Sequence, residues 1–391
     1  MMNRVLFFVG VLFLSPLVWS QETIKIGMTT AITGPAAQLG LNMRIGIEAY
    51  FDIVNKQGGV AGKKLELIVL DDGYEPERAA ANMRQLIDQD QVLAVMGNVG
   101  TPTANVTAPI AENKKTLLFG AYSGGDILRP TPANRYIINY RPSYVEETTE
   151  MVKELLQAGI KPAEIAFFTQ RDGYGDAGYE GAIKALHQSG FDNTDQLVHG
   201  RYTRNTLNVE DAVASILDSP ITPKAVIMAG LSAPSAKFIQ LLQKELPNVI
   251  FLNLSFVGIT SFKEALGDVN NVIVMQVVPS LQSNLSIVQE YLSSLRKINI
   301  KLEPNAVSLE GFIIAKIFHQ GLLNVEGEIT KESIIDGIES LRDIDIGLGI
   351  NIYFDKTEHQ AIHEVWITHF ENGTTSAFSW PMLHKYKLFS E

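Results

Sequence analysis

The amino-acid sequence predicts an α/β fold made of two doubly wound lobes, each with a parallel sheet between layers of helices. Strand-like and helix-like segments alternate along the chain, and this alternation restarts after about residue 140. The length of 391 residues corresponds to about two domains. No low-complexity linker divides the sequence. We therefore expect several short crossings between the lobes and not a single tether.

The first lobe is predicted to alternate strands with helices. Apolar residues recur on one helical face from Met43 to Val54, and Glu75-Pro76-Glu77 places a proline and two acids where a helix begins. The strands of this half are expected at 24–28, 65–70, 92–96 and 116–119.

The turns after the third and fourth strands carry the candidate binding groups. They read Gly97-Asn-Val-Gly-Thr101 and Gly120-Ala-Tyr-Ser123. In an open parallel sheet, ligands bind outside the carboxyl ends of the strands, and glycine lets the backbone come close. The two hydroxyls and the backbone N–H groups suit a carboxylate or another small polar group. The alternative is two ordinary connecting turns, where Gly, Ser and Thr are common.

The second half repeats the pattern. A glycine-rich turn, Arg171-Asp-Gly-Tyr-Gly-Asp176, leads into a helix that runs through Leu186. Strand-like alternation at 362–367 precedes Glu371-Asn-Gly-Thr374, a hairpin-type turn. Further strands are expected at 164–169, 225–228 and 249–252, and helices at 146–157, 209–217, 284–297, 305–323 and 331–341.

Residues 1–20 have the features of a signal peptide. Arg4 precedes the apolar stretch 5–17, which is shorter than the about 20 residues of a spanning helix, and small residues at Val18 and Ser20 favour cleavage after Ser20. An uncleaved anchor is the alternative. No Cys follows, which excludes a lipidated N-terminus. We expect no membrane insertion after cleavage.

Catalytic and metal-binding motifs are weak. The chain lacks the glycine motifs of dinucleotide and phosphate sites, and it has no Cys. Ser232 approaches a nucleophile elbow, but Pro234 replaces the last glycine, so a helix N-cap is favoured. His359 and His363 lie on the alternating segment, where four residues span about 13 Å, which is awkward for a shared metal.

The remaining composition excludes other classes of partner and chemistry. Asp71-Asp72 is favoured as a capping or solvated pair over a cation site. The net charge of −11 disfavours nucleic acid and anionic membranes. We expect a protein that is not an enzyme and has no cofactor and no metal.

Four sequence blocks resemble a known family. They are the long block from residue 24 to 76, VMGNVGTPT, FFTQRDGYGDAGYEGAI and SLEGFIIAKI. The chain resembles the type I periplasmic binding proteins, and among them the branched-chain amino-acid (leucine/isoleucine/valine) binding proteins of ABC transporters. The resemblance covers nearly all of the chain after the signal peptide.

The resemblance implies two lobes joined by three hinge crossings. Lobe 1 would comprise 23–142 plus 276–346, and lobe 2 would comprise 143–275 plus 347–385. A monomer in the periplasm would capture a small ligand in the cleft and deliver it to an inner-membrane ABC permease. One alternative is a ligand-sensing module for a membrane receptor kinase or cyclase. A remote alternative is a secreted serine hydrolase that uses Ser232.

Position by position, the resemblance assigns ten ligand-binding residues. The turns of the first lobe would hold a carboxylate or polar head, and the second lobe would close over the rest. The residues are Val99, Gly100, Thr101, Ala121, Tyr122, Ser123, Tyr174, Leu231, Ser255 and Phe256.

One departure from the family concerns the ammonium group of an amino acid. The family's acidic residue aligns with Ser255, and the segment Asn253–Ser261 contains no acid. An unpaired buried charge costs about 3–5 kcal/mol. We therefore expect α-amino acids, including leucine, isoleucine and valine, to bind poorly. Glu310 is either a displaced counter-charge or part of a solvated or interlobe pair.

Overall fold

The computed structural model describes residues 22–299, 301–371 and 373–385 and shows two separate, mainly parallel sheets. The predicted fold class is confirmed. The signal peptide predicted at 1–20 lies outside the described residues. Most connections between parallel β-strands of each sheet run through helices, which is the doubly wound arrangement.

The first sheet has five parallel strands in the order β2-β1-β3-β4-β5. Both faces are covered by helices, so the central strands are almost fully buried. The strands are β1 (Thr23–Thr30), β2 (Lys64–Asp71), β3 (Ala94–Met96), β4 (Leu117–Phe119) and β5 (Ile137–Ile138), and the helices between them are α1 (Ala37–Lys56), α2 (Pro76–Asp88) and α3 (Thr101–Asn113).

The second sheet has seven strands in the order β12-β11-β10-β9-β8-β6-β7, with an antiparallel hairpin at one edge. Its strands are β6 (Ile165–Gln170), β7 (His199–Tyr202), β8 (Ala225–Ala229), β9 (Ile250–Asn253), β10 (Val272–Gln276), β11 (Trp366–Glu371) and β12 (Thr374–Ala377). Its helices are α4 (Tyr144–Gln157), α5 (Gly173–Gln188), α6 (Glu210–Leu217), α7 (Ser232–Glu245) and α8 (Ile259–Leu266).

Three helices that follow β10 in sequence extend the first lobe. These are α9 (Ser286–Ile298), α10 (Ala306–Leu323) and α11 (Lys331–Glu339), with α10 packed on α1 and α11 packed on α10. The chain therefore passes between the lobes three times, before α4, before α9 and before β11. The residue boundaries given above for the lobes stay predictions.

The strand and the hairpin predicted near the C-terminal part of the chain differ in outcome. The alternation at 362–367 predicts a strand, but the strand is β11, from Trp366 to Glu371, and residues 361–365 are irregular. Residues 359–362 instead contact the segment around Asn139, where three backbone hydrogen bonds join the first and third crossings. Tertiary contacts thus override a local pattern of period two. The hairpin at Glu371 is confirmed.

Helix α10 is a core helix. Its length and apolar composition would suit a membrane span, but 72% of it is buried inside the protein. It meets α1 through two glycines: a Cβ on Gly46 would lie 1.9 Å from the Ser308 carbonyl oxygen, and one on Gly311 would lie 2.3 Å from that of Met43. Only glycine permits this backbone approach.

We predict that Gly46→Ala destabilises the protein by about 1–3 kcal/mol, because the added methyl group must separate the two helices. This loss would occur although alanine favours helix formation over glycine by about 1 kcal/mol. Urea unfolding measures the effect. The control is Glu48→Ala on the same helix, which removes an exposed ion pair with Arg44 and should change stability by less than about 0.5 kcal/mol. A Gly46→Ala protein as stable as the parent would contradict the close packing of α1 on α10.

Candidate functional site

The two predicted turns of the first lobe lie side by side. Val99 forms a bridge with Tyr122, the Gly100 N–H donates to the Tyr122 carbonyl at 3.1 Å, and the Tyr122 N–H donates to the Asn98 carbonyl at 2.8 Å. This pairing continues the β3–β4 ladder beyond the ends of the strands. It brings the hydroxyl oxygens of Thr101 and Ser123 to 2.7 Å from each other, both buried. Ala121 lies between these groups and is also buried.

The hydroxyl pair lies at the beginning of helix α3. Thr101 is the first residue of the helix, whose early N–H groups lack partners within the helix and give this end a partial positive charge. Gly100 precedes it with φ of +108°, and a Cβ there would lie 2.2 Å from the Tyr74 ring. The turn therefore needs glycine, because its backbone at residue 100 lies against the Tyr74 ring.

Aromatic side chains from both lobes form the opposite wall. The Phe256 ring lies between Tyr174, at 4.5 Å between ring centroids, and Tyr122, at 5.3 Å. The Tyr74 ring is 6.2 Å from Phe256, and the Tyr144 ring is 5.3 Å from Tyr174. All five are buried. The structure brings Phe256 of the second lobe against Tyr122 and Tyr74 of the first, and Tyr174 packs on the same Phe256 ring.

Tyr174 is held by the start of helix α5. Asp172 caps this helix, because its carboxylate accepts a hydrogen bond from the Tyr174 N–H at 3.0 Å. Burial raises the pKa of the Tyr174 hydroxyl well above its usual value. That hydroxyl has no hydrogen-bond partner among the residues the structure describes. A buried hydroxyl without a partner is costly, so it is a candidate contact for a bound ligand.

Leu231 contributes through its backbone. Its N–H donates to the Tyr202 hydroxyl at 2.9 Å, and that hydroxyl donates to Gln170 at 2.9 Å. The Gln170 amide then donates to the Tyr74 hydroxyl at 3.3 Å. Leu231 is thus linked across the interface to the first lobe, at the carboxyl end of β8 where the sequence predicts it.

Ser255 contacts an acidic side chain that lies far from it in the sequence. The Glu147 carboxylate accepts two hydrogen bonds from it, one from its N–H and one from its hydroxyl, both at 2.7 Å. The expectation that this wall holds no acidic group is therefore wrong. The acid comes from helix α4, 108 residues away in sequence, whose first turns pack against the end of β9.

Glu310 is not a free counter-charge, because it pairs with Arg141 of the first crossing between the lobes. It accepts two hydrogen bonds from Arg141, at 2.9 Å and 2.8 Å. Burial disfavours the charged guanidinium, yet the neighbouring Glu310 carboxylate raises the pKa of Arg141 above its usual value. The guanidinium also lies 4.0 Å from the centre of the Tyr122 ring and donates to the Ser255 hydroxyl at 3.3 Å.

The rim of the cleft carries a second set of interlobe contacts. Glu75 of the first lobe accepts hydrogen bonds from Arg204 and from Asn205, each at 2.7 Å. Arg204 also reaches Asp172, the cap of helix α5, at 3.3 Å. These half-exposed contacts hold the two lobes against each other around the enclosed side chains.

Ser232 and the two histidines of the third crossing have structural partners. Ser232 begins helix α7 after β8, as expected, and its hydroxyl donates to the Val257 carbonyl and not to a histidine. His359 contacts Glu339, and His363 contacts Glu146, so the two rings face different partners. No group of three metal-ligating side chains occurs in the part of the chain that the structure describes.

The acids at the end of β2 organise a turn. Asp71 accepts hydrogen bonds from Ile32, Thr33 and Gly73, and Asp72 accepts them from Thr29 and Tyr74. Burial raises the pKa of Asp72 to about 6. The two acids hold the loop that presents Tyr74 and do not cap helix α2.

Sequence reasoning missed Tyr74, Arg141 and Glu147. Tyr74 follows β2 at the same sheet edge as the two predicted turns, so the strand-end argument could have included it. The segment Ser143 to Glu146 is a capping box that marks the start of α4. Nothing in the local sequence distinguishes the buried Glu147 from Glu146 and Glu150, which are only partly buried, because the burial of Glu147 depends on its contact with Ser255 at the end of β9.

Two α/β lobes that enclose polar and aromatic side chains define a solute-binding protein. The chain belongs to the periplasmic binding protein family, which it matches over residues 23–375. Within this family it resembles the branched-chain amino-acid binding proteins. The relatives are solute-binding proteins and belong to a family exported to the periplasm.

Individual relatives support this placement to different extents. A crystal structure of a possible leucine/isoleucine/valine-binding protein from Rhodopirellula baltica SH 1 is 44% identical, with a TM-score of 0.89 over 93% of this chain and 98% of that chain. A fatty acid ABC transporter substrate-binding protein from Thermomonospora curvata has a TM-score of 0.81 over 92% of each chain, but at 19% identity it shows the fold alone.

Curated relatives match shorter stretches. The leucine-, isoleucine-, valine-, threonine- and alanine-binding protein of Pseudomonas aeruginosa is 34% identical over 98 residues, which is 25% of this chain and 26% of the relative. The Leu/Ile/Val-binding protein of Escherichia coli K12 is 26% identical over 157 residues, which is 40% of this chain and 41% of the relative. The match thus spans less than half the length of each.

We predict that Arg141→Met or Glu310→Met alone destabilises the protein by about 3–5 kcal/mol, because each leaves a buried charge unpaired. The double variant should lose at least about 1 kcal/mol less than the sum of the single losses. Urea unfolding of all four proteins measures this coupling. Lys114→Met, which breaks the exposed pair with Asp88, should cost less than about 1 kcal/mol. Additive losses would show that the pair is not coupled.

Proposed function

We propose that this chain is an exported solute-binding protein that captures a small polar or carboxylate-bearing ligand between its lobes. It would act in the periplasm as a monomer and deliver the ligand to an inner-membrane ABC permease. The observation that carries the proposal is the buried Thr101–Ser123 hydroxyl pair, which lies in two turns whose Tyr122 ring packs against Phe256 of the other lobe. We favour a role in transport over receptor sensing because the chain belongs to the periplasmic binding protein family and resembles the Leu/Ile/Val-binding proteins.

The polar head of the ligand is assigned to the first lobe. The hydroxyls of Thr101 and Ser123, with the free N–H groups at the start of α3, would surround a carboxylate with donors. Each hydrogen bond to a charged group contributes about 1.5–3 kcal/mol. Val99, Gly100, Ala121 and Tyr122 would form the backbone and ring surface behind this head.

Hinge closure would complete the site. Tyr174, Phe256, Leu231 and Ser255 reach the ligand only when the second lobe approaches, so a ligand that contacts both lobes favours the closed arrangement. The three crossings would bend, and the contacts of Glu75 with Arg204 and Asn205 would re-form at each closure.

A thermal-shift panel of carboxylic acids, amides, amino acids and polyols would identify the ligand, because a ligand that binds the folded state raises its stability. With the best compound, Thr101→Ala/Ser123→Ala should weaken binding by about tenfold or more, which corresponds to the loss of about one charged hydrogen bond. Titration calorimetry measures the dissociation constant.

The matched control is Thr107→Ala on the same helix, which removes a buried hydroxyl that has no hydrogen-bond partner among the described residues. Its dissociation constant should equal that of the parent. An unchanged constant in the double variant would refute the assignment of the ligand's head to these hydroxyls.

A further inference from the structure

Arg129 holds the second binding turn of the first lobe by its backbone. Its Nη1 donates to the carbonyl oxygens of Ser123 and Gly125, at 3.3 Å and 3.1 Å. Between these two carbonyls, the Gly125 N–H donates to the Ser123 hydroxyl at 3.1 Å, and that hydroxyl lies 2.7 Å from the Thr101 hydroxyl. One nitrogen of Arg129 therefore fixes both ends of the segment that orients the Ser123 hydroxyl.

The segment 123–125 depends on contacts from outside, because it contains two glycines. Gly124 and Gly125 have no side chains that could anchor the turn, and a glycine backbone adopts many conformations at little cost. A Cβ on Gly125 would lie 2.5 Å from the Thr101 side chain, so a larger residue does not fit. The Gly124 carbonyl accepts from the Tyr144 N–H at 2.8 Å. Arg129 binds the other two carbonyls of the segment.

The remaining donors of Arg129 reach the hinge. Its Nη2 donates to the carbonyl oxygens of residues 141 and 142 in the first crossing, at 2.7 Å and 3.4 Å. Its Nε donates to the amide oxygen of Gln360 in the third crossing at 2.7 Å. The Gln360 amide nitrogen donates to both carboxylate oxygens of Glu146 in the first turn of α4, at 3.1 Å and 3.0 Å. One side chain thus joins the binding turn to two crossings and, through Gln360, to the second lobe.

The partners of Arg129 indicate that its planar shape matters more than its charge. All five hydrogen bonds go to carbonyl or amide oxygens and not to carboxylates. Burial lowers the pKa of Arg129 to about 10, so the guanidinium stays charged at neutral pH. A rigid fork of donors can bind several oxygens in fixed directions at once, which a lysine ammonium cannot do.

We propose that Arg129 is the positioning residue of the binding turn. It holds the Ser123 hydroxyl in the orientation that meets the polar head of the solute, and Gln360 ties this hold to the third crossing. Arg129 acts through Ser123 and does not itself contact the solute. Because the crossings bend during closure, the head site would be completed only as the lobes close. The inference rests on the proposed function.

Hydrogen–deuterium exchange of the mature protein tests the hold without any solute. In Arg129→Met, exchange in the segment 120–128 should rise by about tenfold or more, the loss of about one hydrogen bond from a charged group. Gln360→Met, which lies 231 residues from Arg129 in sequence, should raise exchange in the same segment by a smaller factor. The control is Arg84→Met, which removes an exposed guanidinium from the Ala80 carbonyl of the first lobe and should change nothing there.

A double-mutant cycle tests the action through Ser123. Titration calorimetry compares the parent, Arg129→Met, Ser123→Ala and the double variant, with acetate, butanoate, benzoate and leucine as carboxylate probes. For a probe that binds the parent, each single change should weaken binding by about tenfold. The double variant should be no more than about twofold weaker than Ser123→Ala, because both changes remove the same oriented hydroxyl. A general loss of stability would instead multiply the two effects.

The outcomes separate this inference from the proposed function. Multiplied losses in the double variant, or unchanged exchange in Arg129→Met or in Gln360→Met, would overturn the inference and leave the solute-binding role standing. Circular dichroism establishes that each variant is folded. If Arg129→Met is not, Arg129→Lys replaces it, because lysine keeps the charge without the fork, and parental affinity in that variant contradicts the inference. If no probe binds and the wider panel also fails, both proposals fall.

Discussion

The buried ion pair between Arg141 and Glu310 lies where the first lobe, the first crossing and the second lobe meet. Arg141 belongs to the first crossing between the lobes, and Glu310 belongs to α10, which packs on α1. The same guanidinium covers the Tyr122 ring and reaches the Ser255 hydroxyl. One side chain therefore touches a turn of the first lobe, a core helix and the end of a strand in the second lobe. Its position fixes where both walls of the cleft can lie.

A buried ion pair of this kind gives little net stability compared with apolar residues of the same volume, because both ions lose their hydration. The pair instead fixes the positions and orientations of neighbouring side chains. The two-point hydrogen bonding fixes the guanidinium plane, and this orients the ring of Tyr122 and the hydroxyl of Ser255. A pair of apolar residues would fill the volume without determining the orientation of either neighbour.

The sequence predicts the fold and the two turns of the first lobe, but not the buried residues that distant segments bring to the site. The difference arises because sequence patterns report on neighbouring residues only. Hydrophobic periodicity and glycine turns are local, so β3, β4 and the hydroxyls after them could be located without the structure. Glu147 became visible only when distant segments met, because nothing in its own neighbourhood marks it as buried, whereas the strand-end argument could have included Tyr74. The strand predicted at 362–367 failed for the same reason: contacts with Asn139 decide the conformation there. The lobe boundaries and the ligand assignments stay predictions.

The two walls differ in what they can offer a solute. The first lobe presents hydroxyls and the positive end of a helix, which are donors, whereas the far side presents a carboxylate, which is an acceptor. The aromatic rings between them exclude water, and electrostatic interactions are stronger where water is excluded. Glu147 is fully buried, and the two hydrogen bonds from Ser255 engage both of its carboxylate oxygens. Because the Arg141 guanidinium donates to the same Ser255 hydroxyl, the buried ion pair and the second buried acid are positioned by one side chain at the end of β9.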